Sequence, residues 1–179
     1  MSTKKDAVRH LQLINDDWLG HADHLRHACR GILLHDGKIL LIYEANNDKY
    51  IIPGGGVEGG ESHAVTLERE VREETGLLVI PESIEEIGEI LELREDVFSK
   101  GVKYVCHSYF YFCDVEERTV ETQMTESEIA KGFHPVWEYP EVICRANDAI
   151  QKERWQKRDT EFIRMLLDGR VKRRGQNNR

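Results

Sequence analysis

The sequence predicts an α/β or α+β domain, and three observations predict it. Runs rich in β-branched and aromatic residues, punctuated by glycine, proline and aspartate, fill the first two thirds of the chain. One amphipathic helical pattern interrupts them at residues 62–75, and two more follow Pro140. Strands with helices interleaved and following give layers of helix on sheet. The 179 residues favour one domain large enough to bury a full core.

Taken in order, residues 6–27 are polar with scattered apolar positions, which predicts a short helix and a connector inside an N-terminal extension, 1–27. Residues 28–34 and 38–43 are strands, and Asp36-Gly37 between them is a hairpin turn signal. Residues 50–52 form a short apolar run that enters a glycine loop, 53–60. A helix over 62–75 follows, with Ser62 as N-cap and Gly76 placed to end it in a left-handed cap. Strands are expected at 77–80, 84–93, 102–115 and 133–137. Helices are expected from Pro140 to Ile150 and over 160–167, where Phe162, Ile163, Leu166 and Leu167 share a side. The domain is expected to span 28–169, and the basic last ten residues, 170–179, read as a flexible tail.

Apolar residues are 40% and charged residues 32%, a globular composition, and the net charge is −8. That charge argues against strong nucleic-acid or anionic-membrane binding. It leaves anionic small molecules open, because a bound cation inverts the local field. No apolar run reaches the length of a membrane span, and no apolar segment follows the basic N-terminus, so a cytoplasmic protein is expected. Cys29, Cys106, Cys113 and Cys144 lack paired metal spacing and read as buried reduced thiols.

The most informative segment is the glycine loop with its helix. Glu70, Glu73 and Glu74 stand at i, i+3 and i+4, within an arc of about 100°. Ala64, Leu67 and Val71 make the adjoining apolar stripe. The helix therefore has one face for the core and, beside it, a ridge of three carboxylates. Like charges at this spacing repel, so the ridge offers the fold nothing. A hard divalent cation reverses the sign, because Mg²⁺ and Mn²⁺ want several oxygen ligands. Arg69 is i,i+4 to Glu73 and within reach of Glu61, which would fix the ridge. The glycines allow close backbone approach, so a carbonyl can face a metal or amides a phosphate.

The segment reads Gly55-x5-Glu61-x7-Arg69-Glu70-Val71-x-Glu73-Glu74-x-Gly76-Leu77. This resembles the Nudix box at every defined position. With residue frequencies near ~7%, its seven strict positions coincide at roughly 10⁻⁸ per start point, so the match is specific. The resemblance implies a Nudix-type αβα sandwich with a mixed β-sheet. It implies Glu70, Glu73, Glu74 and the Gly54 carbonyl as ligands of Mg²⁺ or Mn²⁺, with Gly55, Glu61, Arg69 and Gly76 as structural members of the motif. It also implies hydrolysis of a nucleoside diphosphate linked to another moiety, with a nucleotide-derived small molecule as partner and a homodimer left open.

The weaker signals are three. His21, His24 and His27 with Asp23 form a cluster that fits a surface helix or loop better than a transition-metal site. Arg30 is a candidate for a substrate phosphate, with an ordinary surface arginine as its rival. Glu126 and Glu128, in an acidic loop where the family often supplies a further glutamate, are candidates for the general base, Glu128 first and Glu73 the rival. The substrate is not encoded. The proline or tyrosine that some subfamilies carry about 15–18 residues after the box is absent from residues 90–96, as are the coenzyme A and NADH elements. Nucleoside triphosphates and nucleotide sugars remain. The competing class is a catalytically weak Nudix-fold nucleotide-binding or regulatory protein; prenyl diphosphate isomerisation lacks a distinctive motif here.

Overall fold

The computed structural model describes residues 9–15 and 21–175. Five strands form a mixed sheet in the order β1-β8-β9-β2-β6: β1 (His10–Asn15), β8 (Glu85–Glu95), β9 (Lys103–Phe112), β2 (His24–Ile32) and β6 (Gly54–Gly56). β1 runs parallel to β8 and β9 parallel to β2, while β8–β9 and β2–β6 are antiparallel. A second sheet gathers β3 (Leu34–His35), β5 (Lys49–Ile51) and β11 (Phe133–Glu138) on β4 (Lys38–Glu44). β7 (Leu77–Val79) and β10 (Val115–Thr119) form a two-stranded ladder.

Alternation along β2 and β9 sorts the core into two layers. Cys29, Leu33 and Tyr111 point to one face, where Leu67 and Val71 of α1 (His63–Thr75) cover them. Ile32, Phe110 and Phe112 point to the other, against Phe162, Ile163 and Met165 of α4 (Arg158–Leu167) and Ile143 of α3 (Pro140–Ile150). The Phe110 and Phe162 rings stack 4.1 Å apart at 4°. Helices thus cover both faces of a mixed sheet, as the sequence predicts. The hairpin turn is also as expected: Asp36 and Gly37 both have positive φ, 49° and 75°, the requirement of its tight turn type.

Four expectations are corrected. The helix expected within 6–27 is strand β1 where the structure describes it, with Ile14 fully buried. It pairs with β8, where Ile14 faces Glu92 and Asn15 faces Leu93, and no local pattern announces so distant a parallel partner. β2 begins at His24, four residues ahead of the expected strand, and ends in a different sheet from the hairpin. The expected flexible tail packs as far as residue 175: Val171 is 2% exposed, and Arg173 forks onto both oxygens of Asp114. Residues 176–179 lie outside the described residues. The acidic loop at 121–128 contains a short helix, α2 (Glu126–Ala130).

Candidate active site

The loop that precedes α1 is built into the sheet. β6 pairs with β2 in the register Arg30↔Gly54, Cys29↔Gly55 and Ala28↔Gly56. Gly54 has φ 136°, and a methyl there would collide with the Cys29 carbonyl oxygen. At Gly55 a methyl would occupy the space of the Glu70 carboxylate. Glycine is therefore what lets a charged helix lie against an edge strand.

α1 starts and stops as its sequence dictates. The Ser62 hydroxyl accepts the Val65 amide, and Gly76, at φ 72°, returns its amide to the Arg72 carbonyl. Between these caps Arg69 faces the loop. Its Nε and Nη2 donate to the two Glu61 oxygens at 2.8 and 2.9 Å, Nη1 to Glu70 at 2.6 Å, and Nη2 also to the Gly56 carbonyl at 3.1 Å. Glu73 lies 3.6 Å from Arg69 and 3.5 Å from Arg72. Glu74 accepts the Gly54 amide at 2.8 Å. The bonds from Arg69 hold Glu61 well below the usual carboxylate range, at about 2. Burial acts the other way on the ridge: it pushes Glu74 up to about 8 and Glu70 upward. The charges of Glu70 and Glu128 add to the push on Glu74, so Glu128 stands within electrostatic reach of the ridge.

As they stand, no three acidic, histidine or cysteine side chains among the described residues converge to share one ion. Each glutamate is turned to a protein donor instead. The donor set nevertheless fits a hard divalent cation. Every group offered at this corner is an oxygen, two carboxylates reach the same short strand, and burial has made their charge unfavourable without a counter-ion.

The other candidates divide. Arg30, expected at a substrate phosphate or as an ordinary surface arginine, is not at the surface: it is 8% exposed and donates Nη1 to the Gly54 and Ile52 carbonyls. Its contact in the structure is with the loop backbone. Glu128 is the N3 residue of α2, and its Oε2 accepts the Thr125 amide at 2.7 Å and hydroxyl at 2.9 Å in a capping box. Glu126 is exposed. The histidines lie on no helix: His24 and His27, three apart on β2, point to opposite faces, and His21 is exposed before the strand.

Sequence reasoning missed the support beneath the loop. Asp159, buried at the start of α4, accepts the Ile52 amide at 3.0 Å and bonds the Arg158 Nε at 2.7 Å. Burial pushes its carboxyl up, but Arg158 and Arg30 outweigh that and hold it below its ordinary value. An Asp at the first turn of a helix reads in sequence as a cap, so nothing in it pointed to a partner 107 residues away.

A carboxylate helix clamped by arginine against a glycine edge strand, inside a mixed sheet with helices on both faces, defines a loop–helix class of protein. The NUDIX domain model matches residues 25–165, and the chain belongs to that family. Among curated proteins it is 46% identical over 54 residues to an ADP-ribose pyrophosphatase of Methanocaldococcus jannaschii, covering 28% of this chain and 32% of that one. It is 37% identical over 57 residues to the uncharacterized Nudix hydrolase YvcI of Bacillus subtilis, covering 32% of this chain and 36% of that one. The match thus spans about a third of the length of these relatives. Among solved structures, the E. coli ORF135 protein aligns with TM-score 0.55 at 22% identity, over 86% of this chain and 96% of that one. A NUDIX hydrolase from Nitrosomonas europaea aligns at 0.53 and 21%, over 82% and 90%. At these identities the likeness speaks for the fold.

Proposed function

We propose that the protein is a divalent-metal-dependent hydrolase that cuts a phosphoanhydride bond in a nucleoside diphosphate linked to another moiety. The observation that carries this is the Glu70/Glu73/Glu74 ridge set against Gly54–Gly56 and locked by Arg69 and Glu61. Those three carboxylates would hold Mg²⁺ or Mn²⁺, joined by the Gly54 carbonyl only if it gives up the bond it accepts from Arg30 Nη1. When bound, the cation neutralises the diphosphate oxygens and lowers the pKa of water.

The remaining steps belong to the chain. Arg69 keeps Glu70 facing the loop. The Gly54 amide orients Glu74. Glu128 accepts the proton of the attacking water: its charge already reaches Glu74, and for this its carboxylate would leave the capping bonds that Thr125 gives it. Glu73 is the rival base. The named relative puts ADP-ribose on the substrate panel beside nucleoside triphosphates and nucleotide sugars, although the sequence lacks the downstream proline.

One observation favours a second reading, a nucleotide-binding protein of weak activity: every ridge glutamate is already held by an arginine or an amide. A nucleotide panel assayed for phosphate and nucleotide release, with Mg²⁺, with Mn²⁺ and with EDTA, separates the two. Turnover that needs the cation and places ¹⁸O from labelled water on a phosphate product supports hydrolysis at phosphorus. Binding without turnover across the panel supports the second reading, and label confined to the organic moiety rules out anhydride cleavage.

A further inference from the structure

The face of the sheet that carries α1 is open beyond the helix's first turn. There β2 and β9 present a row of rings. His27 lies 5.0 Å from its register partner His107 at 14° and 6.0 Å from Tyr109 at 7°. His63, the first residue of α1, closes the row at 4.4 Å from Tyr109, and its Nδ1 lies 2.6 Å from the Tyr111 hydroxyl. A concavity of about 580 Å³ opens over His27, His63 and Tyr109, with Leu25 and Val57 as apolar walls. Leu25 is 55% exposed and leaves an apolar edge on the concavity. Arg26 stands on the rim beside Gly56 and has no ion-pair or hydrogen-bond partner among the described residues.

Flat rings with nearly common orientation, apolar edges and one uncommitted cation recognise a planar ring that carries an anion. We propose that this concavity is a nucleobase site, in which a base stacks on the exposed His27 ring, which the Tyr109 hydroxyl holds at 3.3 Å from its Nδ1, while the phosphate of the nucleotide reaches Arg26. Partial burial and the neighbouring imidazoles of His107 and His63 lower the His27 pKa, against a smaller upward pull from Glu89. The ring is therefore neutral at pH 7 and stacks without desolvating a charge. The proposal deepens the hydrolase reading and rests on it for the substrate, because Gly56 and Glu61 of the catalytic loop also line this concavity. The base has two sources with one chemistry: the substrate's own base, or a free nucleotide.

Calorimetric titration of the metal-free protein with AMP and with ribose 5-phosphate tests the site without requiring turnover. AMP should bind about tenfold tighter or more, the scale of one base–ring stack. His27→Ala should erase that preference and His27→Phe restore it, while Arg26→Gln should weaken both ligands alike. Equal affinity of the wild-type protein for the two ligands overturns the proposal, as does a preference that survives His27→Ala. An inactive protein that still prefers AMP would sink the hydrolase reading and leave this site standing. In an active one, AMP that raises the KM for ADP-ribose assigns the site to the substrate's base. AMP that binds and leaves that KM alone assigns it to a free nucleotide.

Discussion

Arg69 and Arg30 hold the same loop from opposite sides, and they hold it differently. On the helix side Arg69 is 19% exposed and spreads its bonds over Glu61, Glu70 and the Gly56 carbonyl, all within 13 residues of it. On the sheet side Arg30 is buried, bonds the Ile52 and Gly54 carbonyls, and is balanced by Asp159, which takes the Ile52 amide from the same side. The helix side is a set of partly exposed charged groups, the ones that the proposed cation and substrate would rearrange. The sheet side is a frame, because a buried guanidinium that lost its partners would be left unsolvated. One side suits chemistry and the other suits position.

The largest effect should come from the helix side. Glu73→Gln combined with Glu74→Gln should lower kcat by at least ~10³ in a steady-state assay, since charge that holds the cation and orients water is removed. The same pair should not weaken the metal-free fold. Glu74 has a folded pKa raised to about 8, so above its unfolded value the unfolded state ionises while the native group keeps its proton, and stability falls increasingly up to pH 8. Its neutral replacement should therefore raise the metal-free Tm at pH 7. Undiminished turnover in the double variant would end the metal-site reading.

Glu128→Gln comes next, with kcat down by about 10², metal affinity nearly unchanged and a flattened acid limb in the pH–rate profile. Wild-type kcat in both Glu128→Gln and Glu126→Gln would move the base assignment to Glu73.

The sheet side should answer in stability. Arg30→Met should cost about 2 kcal/mol in a denaturant titration, the scale of hydrogen bonds to a charged group, and should lower kcat further by loosening Gly54. If stability holds, the frame is elsewhere.

The smallest effect concerns acid. Glu61 has a folded pKa lowered to about 2, so its contribution is present above the ordinary carboxylate pKa and is lost as pH falls from about 4.5 toward 2. Glu61→Gln should remove that part of the acid unfolding profile, and an unchanged profile would show that the Arg69 pair adds nothing to the fold.

The same contrast explains what could be read in advance. The helix side was legible because its partners are neighbours in sequence: Ser62 and Gly76 are caps by residue type, and Glu61, Arg69 and the ridge fall into place once the helix turns. The sheet side was not. Arg30 meets Gly54 only after β2 and β6 pair, and Asp159 meets Ile52 only after α4 packs across the sheet. β1 went unseen for the same reason, since a parallel strand needs no adjacent turn. The basic run after Gly169 looked unattached because Asp114, which anchors Arg173, lies 59 residues upstream.

Because β6 is registered against β2 residue by residue, changes of chain length are not equivalent on the two sides of Gly56. Val57 is tied through its amide to the His27 carbonyl, but Gly59 and Gly60 have nothing within 4 Å of where a side chain would begin. A residue inserted between Glu58 and Gly60 meets open space and leaves the ladder in register, but it breaks the turn in which the Glu58 carbonyl accepts the Glu61 amide at 2.7 Å. One inserted at 54–56 slips the ladder by a position, turns the Gly54 amide away from Glu74 and aims its carbonyl at the opposite edge.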